Sequence, residues 1–377
     1  MASLGQIKAM PSAPPSPPPH AAPVATLRAA LLAWFDAHKR DLPWRGSPDP
    51  YAIWVSEIMS QQTRVDTVRD YFIRWMARFP SIEDLAAATE DEVLEAWQGL
   101  GYYRRARFLH SGARHYVAME HKPTTASAWR ELPGVGPYTA GAIASIAFGE
   151  AAPLVDGNVM RVFARWFGIG EDIALGSTQR VFWAIASDWV MGVRPGDFNQ
   201  ALMELGATVC TPKRARCHAC PVADACTARR EGTVEELPVK KKKQRQRPQT
   251  RVVFAVEREG RWLWAQRERD GLLGGLWEFP SVALDGSVDA EAAQRAWREL
   301  GGDPLDRWTL LSEVTHIFSH IRLSAYPAIA TLADQDAPEV FPGYAEVRWC
   351  DAREAEKLAK STLARKLMRA VRQGALL

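Results

Sequence analysis

Residues 231–250 read EGTVEELPVKKKKQRQRPQT, and the texture of the chain differs on the two sides of that stretch. Upstream, apolar residues recur three and four apart, as at Leu27, Leu31, Trp34 and Phe35, and again at Val93, Leu94 and Trp97. That spacing is the mark of amphipathic helices. Downstream the runs are short and rich in β-branched or aromatic residues. Arg251–Val256 and Arg261–Ala265 read as strands parted by a Glu-Gly turn. Residues 271–280 (GLLGGLWEFP) read as a Gly-rich loop entering a strand, and Ala290–Leu300 as a helix. Glu313–Ser319 and Leu323–Ala328 read as strands, and Ala352–Gln373 as one amphipathic helix. The expected organisation is a disordered Pro/Ala-rich tail over 1–24, a mainly α domain over 25–230, a basic linker over 231–250 and an α+β domain over 251–377. No internal repeat is visible.

Charge sets limits on partners. A net charge of +3 in 377 residues is no polycation, so a nucleic-acid surface must come from local clustering of Arg and Lys. Lys240–Lys243 read as a solvated face of the linker, capable of transient phosphate contact. No apolar run approaches bilayer length, so no membrane partner is expected. The first residues lack the layout of a secretory signal, which leads to an expected cytoplasmic location.

Within the helical half, residues 132–158 (LPGVGPYTAGAIASIAFGEAAPLVDGN) form a glycine-punctuated turn, a helix rich in Ala, Gly and Ile, and an apolar run into Asp156-Gly157-Asn158. Gly134 and Gly136 allow a tight turn with no Cβ between backbone and ligand. Pro137 suits a first helical position, so the turn ends in a helix N-terminus with unpaired N–H groups, which attracts phosphate. A corner whose glycines serve packing alone fits the same letters.

Cys210, Cys217, Cys220 and Cys226 give C-x6-C-x2-C-x5-C. Four thiols so close together read as a ligand set in a reducing compartment rather than a disulfide framework. Zinc and an iron–sulfur cubane both accept four thiolates, and the spacing leaves both open. His218 lies inside the C-x2-C but is not needed to complete the set. Lys213, Arg214 and Arg216 put cations in the same loop.

Taken in order, residues 42–63 (LPWRGSPDPYAIWVSEIMSQQT), 99–107 (GLGYYRRAR), 132–143 (LPGVGPYTAGAI), 155–159 (VDGNV), the four cysteines and 316–320 (HIFSH) resemble the helix-hairpin-helix DNA glycosylase superfamily. Within it the likeness is to endonuclease III and, more closely, to the MutY-type adenine glycosylases. It covers about residues 26–230 and 251–370. It implies two helical subdomains gripping double-stranded DNA at their cleft, one 4Fe-4S cluster on the four cysteines, and a Nudix-like domain that reads 8-oxoguanine. The implied substrate is DNA with 8-oxoG:A or G:A mispairs, and the implied enzyme a monomer.

Breaking a C1′–N bond passes through an oxocarbenium-like state and needs a protonated leaving base, so a carboxylic acid of raised pKa is wanted in a dry pocket. Glu57 stands inside the apolar run Trp54–Met59, where an exposed helix position would also be natural. The resemblance makes Glu57 the acid that protonates adenine at N7. It makes Asp156, also a natural helix N-cap, the group that stabilises the C1′ cation. Tyr138 and Asn158 match positions lining the same site. Bifunctional relatives carry a lysine where Tyr138 stands, and no lysine occurs between Lys122 and Lys213. A Schiff base needs an amine, so a monofunctional enzyme is expected.

By the same resemblance Pro133, Gly134, Val135 and Gly136 hold a backbone phosphate, and Gln62 and Tyr102 wedge the duplex around the flipped base. Arg40, Trp44, Arg45 and Gln200 wall the adenine pocket. Arg104, Arg105 and Arg107 read as phosphate contacts or solvated charges. Phe318, Ser319 and His320, with His316 before them, match the 8-oxoguanine-reading segment. A working Nudix hydrolase needs the pattern R-E-x-x-E-E; here Arg298-Glu299-Leu300-Gly301-Gly302 lacks the second glutamate pair, so diphosphate hydrolysis is not expected. A thymine or uracil mismatch glycosylase of the same fold, a non-catalytic DNA-binding scaffold and an iron–sulfur electron carrier are the alternatives. The first has no need of the C-terminal domain, and the last leaves the hairpin and the carboxylates without a role.

Overall fold

The computed structural model describes residues 23–46, 48–240, 246–302, 308–332 and 341–374. Most of the expected N-terminal tail and the lysines at 241–243 lie outside these residues. The chain forms two compact units that divide at Ala86/Ala87, His110/Ser111 and Lys242/Lys243. The first therefore takes the described residues through Ala86 and from Ser111 onward to the linker. The second takes Ala87–His110 and the C-terminal part. No helix among the described residues is long and apolar enough to cross a membrane.

The first unit is helical. Helix Val24–His38 packs Leu27, Leu31, Trp34 and Phe35 into a core shared with helices Gly157–Phe167, Gly176–Val190 and Pro195–Thr208. Helix Pro50–Ser60 begins on Asp49, whose carboxylate accepts the Tyr51 N–H, with Pro50 in the first turn where no donor is lost. Helix Pro137–Phe148 starts at Gly136 and ends on Gly149 in the left-handed region. Its Gly141 must be glycine, because a Cβ there would meet the Pro153 carbonyl oxygen at 2.0 Å. That close approach brings the run into Asp156 against the hairpin helix.

The second unit holds helix Glu90–Ala96 and an eight-stranded sheet: β1 (Arg247–Arg258), β2 (Arg261–Arg267), β3 (Trp277–Glu278), β4 (Ser281–Leu284), β5 (Thr309–Leu310), β6 (Val314–Ile317), β7 (Ile321–Thr331) and β8 (Tyr344–Cys350). The order β3-β2-β1-β7-β5 has β1 parallel to β7, with β4 beside β1, β6 beside β7 and β8 beside β2. One face buries Val253, Ala255, Trp264 and Leu323 under the terminal helix, and the other buries Val252, Phe254, Leu263 and Ala265 under Trp297 and its neighbours in helix Ala290–Glu299. This is the period-two alternation expected of a sheet covered on both sides.

The C-terminal segment is two helices, Ala352–Lys357 and Thr362–Gly374, where one was expected. The break has a cause in pairing. Trp277 N–H donates to the Ala359 carbonyl at 2.9 Å and Trp277 bridges to Lys360, so this backbone serves the sheet instead of a helix. The second expected strand pair is also reset: β6 ends at Ile317, leaving Phe318, Ser319 and His320 as the turn into β7.

Candidate active site

Three segments of the first unit meet around Glu57. The residue is half-buried and lies in helix Pro50–Ser60 between the buried Ser56 and Ile58. Tyr138, in the first turn of the hairpin helix, donates its hydroxyl proton to Glu57 Oε2, and the same hydroxyl lies 3.3 Å from Met203 Sδ. Burial pushes the Glu57 carboxyl up to about 7, and the charge of Asp156 adds to the rise. The Tyr138 hydroxyl and Arg45 oppose it without cancelling it. A carboxyl with that pKa is half protonated near neutral pH, the condition a general acid needs.

Asp156 caps helix Gly157–Phe167. Its Oδ1 accepts the Val159 N–H at 2.7 Å and its Oδ2 the Asn158 amide at 2.8 Å. Burial raises its pKa also, and those hydrogen bonds hold the rise back. The capping role is compatible with the influence of its charge on Glu57. Asn158 is itself held: its Oδ1 accepts from Arg161 at 2.8 Å, and Arg161 further donates to the carbonyls of Gly206 (2.8 Å) and Cys210 (2.7 Å). Gly206 permits this, since a Cβ would strike Asn158 Cβ at 2.6 Å. Arg161 thus ties the aspartate to the first cysteine, and sequence reasoning did not single it out.

The wall assigned to Arg40, Trp44, Arg45 and Gln200 is only partly free to face a ligand. Arg40 Nε and Arg45 Nη2 each lie 2.6 Å from Glu204, a carboxylate that is 1% exposed and was not anticipated. Despite its burial the two guanidiniums hold Glu204 below the ordinary carboxylate range. Trp44 stacks edge-on with Phe72 at 5.2 Å, and Gln200 is half-buried in the same helix as Glu204. In the hairpin, Gly134 has φ +77°, Gly134 and Gly136 are exposed, Pro133 is half-buried and Val135 is buried. Only Gly134 needs the left-handed region; Gly136 serves as an unobstructed N-cap with φ −86°. Gln62 is exposed at φ +58°.

The four cysteines belong to the first unit as well. Burial raises the Cys220 thiol to about 12 and raises Cys226, and in both the neighbouring cysteines add to the shift. All four are free thiols of intermediate burial. Arg165 donates to Cys210 Sγ at 3.3 Å, while His218, Lys213, Arg214 and Arg216 are exposed. Among the described residues no three His, Cys, Asp or Glu side chains are gathered for a single ion.

In the second unit Ser319 and His320 are exposed and Phe318 is half-buried, 4.6 Å edge-on from His316. Phe318 also lines a cavity of about 210 Å³ with Arg251, Arg267 and Glu278, so its ring is anchored on the sheet side. Tyr102, 48% exposed, belongs to this unit, and its hydroxyl lies 3.3 Å from Ser319 Oγ. Two of the three arginines behind it depart from the sequence reading, while Arg104 is exposed as a solvated charge would be. Arg105 is half-buried, its pKa lowered by burial to about 10, and it donates to the carbonyls of Leu100 and Gly101. Arg107 pairs with Glu90 at 3.0 Å and donates to Gly274 O. Arg104 lies over the Phe108 ring at 4.9 Å. The first two are structural braces, neither solvated nor turned to phosphate.

Comparison with known proteins agrees with this geometry. The model of the HhH-GPD superfamily base excision DNA repair proteins matches residues 55–187, and that of the NUDIX domain matches 252–370. The human adenine DNA glycosylase is 39% identical over 409 residues, covering 92% of this chain and 74% of its own. The chain belongs to the adenine DNA glycosylase family. The mouse adenine DNA glycosylase is 40% identical over 405 residues, covering 92% of this chain and 78% of its own. A solved thermostable thymine-DNA glycosylase is 28% identical, covering 55% of this chain and 97% of its own with a TM-score of 0.49. The chain is thus a base excision repair glycosylase that acts on DNA, with a Nudix-like domain attached.

Proposed function

We propose that this adenine glycosylase hydrolyses the N-glycosidic bond of adenine opposite 8-oxoguanine or guanine and leaves the strand intact. The observation that carries the reading is the Glu57 carboxyl, raised to about 7 and held by Tyr138 at the position where a strand-cleaving enzyme has its amine. In this mechanism protonated Glu57 gives its proton to the adenine ring as the C1′–N bond lengthens. The Tyr138 hydroxyl, bonded to the carboxylate, steadies the ionised form that results. Asp156, kept in place by Val159 N–H and Asn158, sets its negative charge against the sugar cation. With no amine at position 138, the sugar is captured by water, and Glu57 is then the base that takes its proton.

Arg40 and Arg45, clamped by Glu204, together with Trp44 and Gln200, form the adenine wall. The exposed Gly134–Gly136 turn and the start of its helix receive a backbone phosphate. Gln62, in the first unit, and Tyr102, in the second, are each read as a wedge into the duplex, and Ser319 and His320 offer a hydroxyl and an imidazole to the oxidised guanine. Cys210, Cys217, Cys220 and Cys226 suit one 4Fe-4S cluster. The support is an all-thiol donor set of half-buried side chains, with the guanidinium of Arg165 donating to Cys210 Sγ. Such a cluster would hold the loop carrying Lys213, Arg214 and Arg216.

The test is an excision assay on duplexes of defined mispair, with hot alkali to reveal abasic sites. Adenine release opposite 8-oxoguanine and guanine, with strand breaks only after alkali, is expected. Release of thymine or uracil instead, or stoichiometric trapping by borohydride, would sink the reading.

A further inference from the structure

Residues Ala87–His110 lie within the stretch matched to the base excision repair family, yet they pack in the second unit. Their centre is the turn between helices Glu90–Ala96 and Arg104–Ala118. It places Gly99, Gly101 and Tyr102 at φ +104°, +71° and +50°. Glycine adopts this region freely, but a tyrosine does so only where its surroundings over-determine it.

The surroundings form two layers. Inside the turn, Trp97 Nε1 donates to Gly101 O at 3.0 Å and Arg105 Nη2 to the same oxygen at 3.1 Å. The Arg105 guanidinium lies 5.4 Å from the Tyr102 ring centre. Outside it, the Tyr103 hydroxyl donates to Lys360 O at 2.8 Å, a buried bond, and Gln98 Nε2 donates to the same carbonyl at 3.3 Å. That carbonyl is fixed in turn. The buried Lys360 ammonium donates to the carbonyls of Ala355, Glu356 and Leu358, which end helix Ala352–Lys357. Arg107 adds its bond to Gly274 O, beside a Gly275 whose Cβ would strike Arg107 Nη2 at 2.1 Å. On the far side of the turn stands the 3.3 Å contact of Tyr102 with Ser319.

We propose that Tyr103 and Gln98, through the Lys360 carbonyl, are positioning residues that lock Tyr102 beside Ser319, so that the wedge and the lesion contact reach DNA as one preset pair. The selectivity for oxidised guanine is then set partly by this clasp, which touches no DNA itself. A preset pair loses little freedom on binding, and that saving appears as affinity for the duplex that uses both contacts. The inference rests on the reading of Tyr102 and Ser319 as DNA contacts.

The test uses the full chain and the double variant Tyr103→Phe/Gln98→Ala, with single-turnover excision on 8-oxoG:A and G:A duplexes and amide exchange over 97–103. The clasp predicts faster exchange there. It also predicts a preference for 8-oxoG:A lowered about tenfold through the half-saturating enzyme concentration, with the saturated G:A rate within about twofold of wild type. Unchanged preference, or equal losses on both duplexes, would overturn it. Should the double variant fail to fold, Gln98→Ala alone must show the same pattern at about threefold. A wild-type enzyme without preference would instead remove the lesion-reading assignment beneath the proposal. Preference retained in both wild type and variant removes only the clasp.

Discussion

The proposed catalytic centre and the proposed lesion-reading turn are built on opposite plans. Glu57, Tyr138 and Asp156 come from three separate segments and are half-buried, and burial of their polar groups raises both carboxyl pKa values. Ser319 and His320 are neighbours on one turn, exposed, on a sheet whose two faces are packed. The first plan suits proton transfer, which needs water kept out and charges set in advance. The second suits recognition of a base edge that must be approached from solvent. What the contrast teaches is where precision comes from: in the centre from burial, at the turn from backbone anchored elsewhere.

The contrast can be broken at each end. Glu57→Gln carries the largest expected effect, a loss of about a thousandfold or more in single-turnover excision. Its effect on stability runs the other way. The folded pKa of about 7 stands above the ordinary 4.5, so between these values the folded state holds a proton that the unfolded state releases. Wild-type stability therefore falls as pH rises through that window, and the amide variant escapes the fall. At pH 8 the variant should be more stable by roughly 3 kcal/mol in denaturant titration, with the difference gone by pH 4.

Glu204→Ala tests whether the proposed adenine wall is likewise set by burial. It leaves Arg40 and Arg45 facing each other without their shared partner, and a loss of about 3 kcal/mol in stability is expected, with Glu204→Gln intermediate. Ser319→Ala is the smallest change. It should lower the preference for 8-oxoG:A over G:A by about tenfold and leave the saturated G:A rate alone. Deleting residues 251–377 would be a poor substitute, because it strips Ala87–His110 of Lys360 and Gly274 as well as removing the turn.

Much of the centre was legible because its chemistry is local in sequence. A carboxylate inside Trp54–Met59, a glycine turn before Pro137 and four spaced thiols each carry their own signal. Glu204 carried one too, as a lone acid in the apolar helical run Ala201–Gly206. Its two partners sit more than 150 residues away, and no local pattern points to them. Arg161 was illegible for the same reason, since two of its bonds go to the distant carbonyls of Gly206 and Cys210. The division of the chain hid most fully. Helical periodicity placed residues 87–110 with the helices around them, but their packing is decided by carbonyls of Gly274 and Lys360. The terminal helix likewise breaks where its backbone is needed by Trp277, a long-range pairing that overrides local propensity.

The central claim, that adenine leaves by protonation from Glu57, is tested most directly by single-turnover excision on an 8-oxoG:A duplex from pH 5 to pH 9, with Glu57→Gln alongside. The expected wild-type rate declines as pH rises through about 7, following the carboxyl's proton. The variant should be slow and flat. A wild-type rate that stays level across that range, or a variant that keeps wild-type excision, would contradict the account.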